Sequence, residues 1–291
     1  MKRIIILFAI AFILGILMRT FAASGLDISV PSLPARGQPF FVSVNSNITV
    51  ESFHIKWQGI ERDIPAIVAD NGESSAEFLL PARYDEHGKF TLEVSGKTDG
   101  RKLSGSLDID VADREYEHEE LTVDPKFIKV SKENRERAAK ERVLAGKAIK
   151  TFSTDKLWTI PFARPVQGDI SDGYGIRRVF NGKPNSIHSG LDFRAKQGDE
   201  IHAVMDGTVV LTADFFYSGR CVFVDHGLGV MTVYMHQSKL LVKKGDKLKT
   251  GDVVGLVGAT GRVTGPHLHL HLYVQGVAVD PAIPLGIKTD K

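Results

Sequence analysis

The chain reads as mainly β: an N-terminal β-sandwich, a charged helical linker, and a C-terminal domain built from a duplicated β-sheet unit. Three observations predict this. Residues 25–112 alternate apolar and polar side chains between turn signals, the pattern of half-buried strands. Residues 113–157 switch to dense charge with a helix start. Residues 158–286 are rich in Gly, Val and Leu, and two of their segments resemble each other.

Residues 1–23 stand apart from the globular body. Lys2 and Arg3 precede an uncharged run, Ile4–Leu17, and Thr20 and Ala22 offer small residues at the −3 and −1 positions of a cleavage site. This is the pattern of a secretory signal peptide. The run is short for a membrane span, which needs roughly 20 apolar residues. An uncleaved anchor is the alternative; after cleavage no stable membrane span is expected. Cleavage removes Lys2, Arg3 and Arg19 and no acid, so the formal charge moves from +2 to −1. A near-neutral exported protein has no basic footprint for nucleic acid. Cys221, the single cysteine, has no partner for an internal disulfide and lies in an apolar strand-like run, which points to a packed thiol. Export without disulfides fits the periplasm or cell envelope.

In residues 24–112, Phe53–Trp57, Phe90–Val94 and Leu107–Val111 alternate strictly. Turns are marked at Ala35–Gly37, Asp70–Gly72, Glu86–Gly88 and Asp99–Gly100. Many short strands at this spacing predict an immunoglobulin-like sandwich. His54, His87 and His118 are isolated and carry no chemistry. In residues 113–157, Ser131 can cap a helix from Lys132 to about Lys150. Its apolar stripe is thin, so it is expected to lie along one of the domains.

In residues 158–286, Val204–Leu211 reads as a hairpin turning at Asp206-Gly207, and Lys196–Ile201 echoes Lys244–Leu248. Biotinyl and lipoyl carrier domains share this style of repeat, but they require a lysine at a hairpin tip, and Met205-Asp206-Gly207 has none.

Seven of the ten histidines fall between positions 188 and 271. His267 and His269 sit two apart in a strand-like run, so both rings face one side, about 7 Å apart along the backbone. Upstream lie His188-Ser-Gly-Leu-Asp192 and His236. His188, Asp192 and one of the 267/269 pair make a ligand set of the right number and type for zinc with one open position. Two neutral imidazoles and one carboxylate leave zinc at net +1, electrophilic enough to acidify bound water. The remaining histidines are candidates for moving protons.

These stretches, taken in order, resemble the LytM/lysostaphin-type zinc metallopeptidases that cut bacterial cell-wall peptides. The matching segments are Ser171–Arg177, Ile187–Phe193, Gly207–Val210, Val224–Gly227, Tyr234–His236, Gly258–Gly261, Gly265–His269 and Val279–Pro281. The resemblance implies a groove-shaped β domain and one zinc per chain. It implies His188, Asp192 and His269 as ligands, with His267 and His236 as catalytic histidines assisting attack by zinc-bound water. It implies peptidoglycan stem or cross-link peptides as substrate. His271, where the family often has another polar residue, is expected beside the ligands or in the groove. Arg177 is expected to face a substrate carboxylate or a structural partner. His226 matches a motif histidine that is no ligand and is expected to serve the scaffold. The alternative function is a non-catalytic envelope protein that binds wall peptides or activates an amidase.

Overall fold

A computed structural model of the chain describes residues 18–21, 25–98, 102–122 and 130–287. Lys2–Leu17 of the expected signal peptide and the Asp99-Gly100 turn lie outside them. Met18–Phe21, inside the stretch read as signal peptide, forms a strand paired antiparallel with Leu26–Val30.

The N-terminal domain is a β-sandwich. One sheet runs 18–21, 26–30, 39–46, 74–81, 67–68; the other runs 60–65, 52–57, 88–97, 102–111. The alternation expected from the sequence is what packs it. Phe53, Ile55 and Trp57 are fully buried while His54 and Lys56 point outward. Trp57 lies edge-on to Phe40 at 5.2 Å and donates its Nε1–H to the Pro81 carbonyl at 2.7 Å. An indole at the centre of a sandwich needs such a partner, because its one polar atom is otherwise stranded in the core.

The helix spans Lys132–Ile149, and the Ser131 side chain accepts from the Asn134 amide at its start. Its C-terminal turn packs Ala145, Ala148 and Ile149 against Phe215, Phe223, Met231, Val233 and Met235. Arg137 and Glu141 tie the helix to backbone groups of Asp214 and Phe216. It lies on the C-terminal domain. The segment before the helix is more than a linker: His118–Leu121 joins the C-terminal domain as a strand parallel to Arg177–Phe180.

The C-terminal domain is organised on an antiparallel sheet with strand order 170–172, 191–194, 267–274, 230–237, 219–225, 207–215, 247–248. Leu268, Leu270, Leu272 and Val274 fill its main core. Val204–Leu211 is not a hairpin. Glu200–His202 pairs with Val253–Leu256, whereas Gly207–Phe215 pairs with Gly219–Asp225, so the chain changes sheets at 203–206. The internal echo marks a repeated turn, found three times among the described residues. In Lys196–Asp199, Lys243–Asp246 and Lys249–Asp252 the aspartate carboxylate accepts the lysine amide, with Gly198, Gly245 and Gly251 in the left-handed region. A carboxylate closing a turn over a left-handed glycine is a local device that recurs wherever this chain reverses in the same way.

The two domains are fastened together. Arg114 makes a 2.6 Å ion pair with Asp280, which is 1% exposed. Asp280 also donates its amide to the Gly37 carbonyl, and Gln275 Nε2 reaches the Leu79 carbonyl of the sandwich at 3.5 Å. No helix among the described residues is long and apolar enough to cross a membrane.

Candidate metal centre

The strand His267–Val274 carries the site. Its alternation sends leucines into the core and His267, His269 and His271 to the opposite face. Leu191–Arg194 lies antiparallel beside it, with Asp192 directly opposite His269. His188 arrives from the bend just before that strand. Gly190 permits the bend: a Cβ there would fall 2.5 Å from the Leu270 carbonyl oxygen and 2.7 Å from the His269 ring.

One donor atom each from His188, Asp192 and His269 lies within 4.8 Å of the others. His269 Nδ1 is 2.5 Å from Asp192 Oδ1, His188 Nε2 is 3.2 Å from Asp192 Oδ2, and the two imidazole nitrogens are 3.2 Å apart. His188 donates its Nδ1–H to the Gly173 carbonyl, which fixes the tautomer and turns Nε2 toward the cluster. The three residues are buried. Nitrogen and carboxylate donors converging from three directions in a buried site fit a small divalent cation of the zinc kind.

Burial opposes charge on all three groups. At His188 it is outweighed by the hydrogen bond and charge of Asp192, so the imidazole binds its proton more tightly than usual. At Asp192 the bonds and charges of His188 and His269 outweigh it, and the carboxyl is held well below its ordinary range. At His269 burial prevails over Asp192 and the ring is easier to deprotonate.

Two further rings flank the cluster. His267 donates Nδ1–H to the Gly265 carbonyl, and His236 donates Nδ1–H to the Thr260 carbonyl, both at 2.9 Å. His267 Nε2 lies 3.7 Å from Asp192 Oδ1, and the ring centres of His236 and His267 are 4.9 Å apart. Burial, then the nearby His269 and His267 charges, push the His236 pKa down to about 4. Sequence alternation alone points His236 away from the other histidines, because Tyr234 pairs with Leu270 on the core face. A register shift between the 219–225 and 230–237 strands inserts an extra residue there, and His236 adopts φ +63. The bulge re-aims the ring. A non-glycine residue in this region costs roughly 1–2 kcal/mol, and such strain is concentrated at working sites.

His271 sits beside the cluster rather than in it. Its Nε2 is 3.2 Å from Ser189 Oγ, its Nδ1 2.9 Å from the Tyr273 hydroxyl, and its ring 4.5 Å from that of His269. His226 is wholly buried, donating Nδ1–H to the Asp206 carbonyl and accepting at Nε2 from Thr232. Cys221 is buried, and burial together with Asp214 and Glu141 pushes its thiol up to about 12. Arg177 is exposed and is not part of the groove lining. Its neighbour Arg178 is, held between Glu119 at 3.0 Å and Asp172 at 2.5 Å. On a strand the two arginines point to opposite faces, and the sequence alone does not say which face is the groove. Glu119, from the strand before the helix, belongs to no motif in the sequence and reaches the groove only through strand pairing. The groove holds about 680 Å³, with Tyr217, Arg262 and Thr264 on its other flank.

A β domain with a His-Asp-His cluster and two flanking histidines on an open groove defines a metallopeptidase domain of the LytM type. Residues 186–281 match the model of peptidase family M23, and this domain belongs to that family. The chain is 32% identical over 197 residues to the peptidoglycan DD-endopeptidase ShyA of Vibrio cholerae, covering 66% of this chain and 41% of that protein. It is 46% identical over 95 residues to an uncharacterized metalloprotease of Haemophilus influenzae, 32% of this chain and 20% of the relative. The chain thus spans less than half the length of these relatives. A solved structure of a putative peptidase M23 from Pseudomonas aeruginosa superposes with a TM-score of 0.66 at 27% identity, covering 88% of this chain and 96% of that one.

Proposed function

We propose that this protein is an exported, zinc-dependent endopeptidase that hydrolyses peptide bonds in peptidoglycan stem or cross-link peptides, with one zinc per chain. The observation that carries the reading is the convergence of His188, Asp192 and His269 within 4.8 Å, with His236 and His267 alongside. Relatives named as peptidoglycan DD-endopeptidases favour a D,D bond in a direct cross-link over a glycine bridge.

His188 Nε2, an Asp192 carboxylate oxygen and His269 Nδ1 would hold the ion. Bound zinc supplies a Lewis acid that polarises a carbonyl and acidifies water. The chain's own residues handle the protons. His236 and His267 each keep Nδ1–H on a backbone carbonyl, so Nε2 is the basic atom facing the groove. Burial keeps His236 neutral at neutral pH, so its Nε2 carries a lone pair there. Once protonated, the same Nε2–H can donate to a developing oxyanion or to the leaving amine. Gly173, Gly265 and Thr260 carbonyls hold the three rings in orientation before substrate arrives.

The signal-like N-terminus and the wall-directed relatives support a place in the periplasm or envelope. Incubating purified sacculi with the protein and profiling released fragments tests the reading. New peptide ends that vanish with a chelator are expected. Intact cross-links from a zinc-loaded protein would leave a wall-binding module or amidase activator.

A further inference from the structure

We propose that Tyr84 of the sandwich and Tyr116 of the connecting segment act as positioning residues for the metal ligand His188, by clamping the Gly173–Gly175 segment that orients its ring. This rests on the reading of His188 as a zinc ligand.

The contacts run in an unbroken line. Tyr84 donates its hydroxyl to the Gly175 carbonyl at 3.0 Å. The Gly175 amide donates to the His188 carbonyl at 2.7 Å, and the His188 amide returns a bond to Ile176. Two residues before Gly175, the Gly173 carbonyl receives the His188 Nδ1–H. The segment is thus bonded to His188 on both backbone and ring, and to the sandwich through one phenol. Tyr116 completes the clamp. Its ring stacks on Tyr84 at 4.7 Å and lies close against Gly175, where an added Cβ would fall 2.0 Å from the Tyr116 ring. Gly175 is left-handed at φ +92, so glycine serves here both for the backbone and for the close approach.

Tyr116 is itself fixed from two sides. Its hydroxyl donates to the Arg36 carbonyl, and Arg36 and Arg114 sit over its ring at 5.5 and 5.1 Å. Tyr174, edge-on to both phenols, donates to the Ala278 carbonyl and closes the clamp against the C-terminal domain. The two domains therefore meet at the one segment that sets the His188 tautomer. Outer-shell groups that orient a ligand imidazole tune metal affinity, not only stability.

The test uses the full chain and the variants Tyr84→Phe, Tyr84→Phe/Tyr116→Leu and Glu77→Gln. The last removes a different tie between the domains, the 2.6 Å pair of Glu77 with Lys156, which does not touch the segment. Two readouts are taken: zinc affinity by competition with a chromophoric chelator, and exchange of the His188 Nδ1–H proton by NMR in zinc-free protein. The double variant is expected to bind zinc about tenfold more weakly. Tyr84→Phe should fall between it and the parent, and Glu77→Gln should match the parent. The Nδ1–H proton should exchange faster in both tyrosine variants. Parent-like zinc affinity and exchange in the double variant would overturn the clamp, as would an equal loss in Glu77→Gln. A parent that binds no zinc would sink the metallopeptidase reading, and the exchange measurement would then still decide whether the tyrosines hold the His188 ring.

Discussion

Asp192 and His269 are register partners on adjacent antiparallel strands, and Asp192 Oδ1 lies 2.5 Å from His269 Nδ1. Two of the three donors are thus set by sheet pairing, the most rigid geometry the domain offers. The third, His188, enters through a bend that only glycine permits. This division predicts how the site fails.

Replacing His188, Asp192 or His269 by alanine should remove the metal, whereas His236→Ala and His267→Ala should keep it. The latter two should lower kcat by about 10²–10⁴-fold. Metal content of each purified variant, set beside its turnover on cross-linked peptide, checks the assignment. Equal metal in all five would refute it.

Gly190→Ala should damage both fold and site. The new methyl meets the Leu270 carbonyl, which is backbone and cannot step aside, and the His269 ring. Overpacking of this kind costs about 1–3 kcal/mol or more. A lowered urea midpoint together with weakened zinc binding is expected.

Arg114→Met should destabilise by about 3 kcal/mol, because it leaves the buried Asp280 carboxylate without its cation. Lys56→Met, which breaks a 3.3 Å pair between half-exposed partners, should cost about 0–1 kcal/mol. Similar midpoints for the two variants would mean that Arg114 contributes little to docking.

Stability should fall as pH drops from about 6.5 toward 4. Burial holds the folded His226 pKa near 4, against an ordinary 6.5. In that window the unfolded chain takes up a proton that the folded one refuses, so acid favours unfolding. Above pH 6.5 neither state is protonated and the contribution is complete; below pH 4 it is gone. The shift corresponds to roughly 3 kcal/mol. NMR titration of the His226 ring isolates it from the metal ligands; a midpoint near 6.5 would contradict the prediction.

Where local pattern dictates geometry, the sequence was sufficient. Alternation in Phe53–Trp57 and in His267–Val274 foretold which side chains face the core, and Ser131 marked the start of the helix. The residue types at 188 and 192 with one of the 267/269 pair make a metal set in the sequence, and only the family resemblance picks His269 from the pair. What escaped depends on long-range pairing. The strand at His118–Leu121 is short and charged, and only its partner Arg177–Phe180 makes it a strand. The bulge that turns His236 inward leaves no trace in composition. Which of Arg177 and Arg178 faces the groove is a question of strand face, which no single strand settles by itself.

The proposed function requires one divalent ion shared by His188, Asp192 and His269. Crystals of the zinc-loaded protein, measured on both sides of the zinc absorption edge, test it most directly. A single anomalous peak about 2.0–2.2 Å from His188 Nε2, an Asp192 oxygen and His269 Nδ1 is predicted. A peak ligated by His236 or His267 in place of any of these, or no peak in the groove, would contradict it.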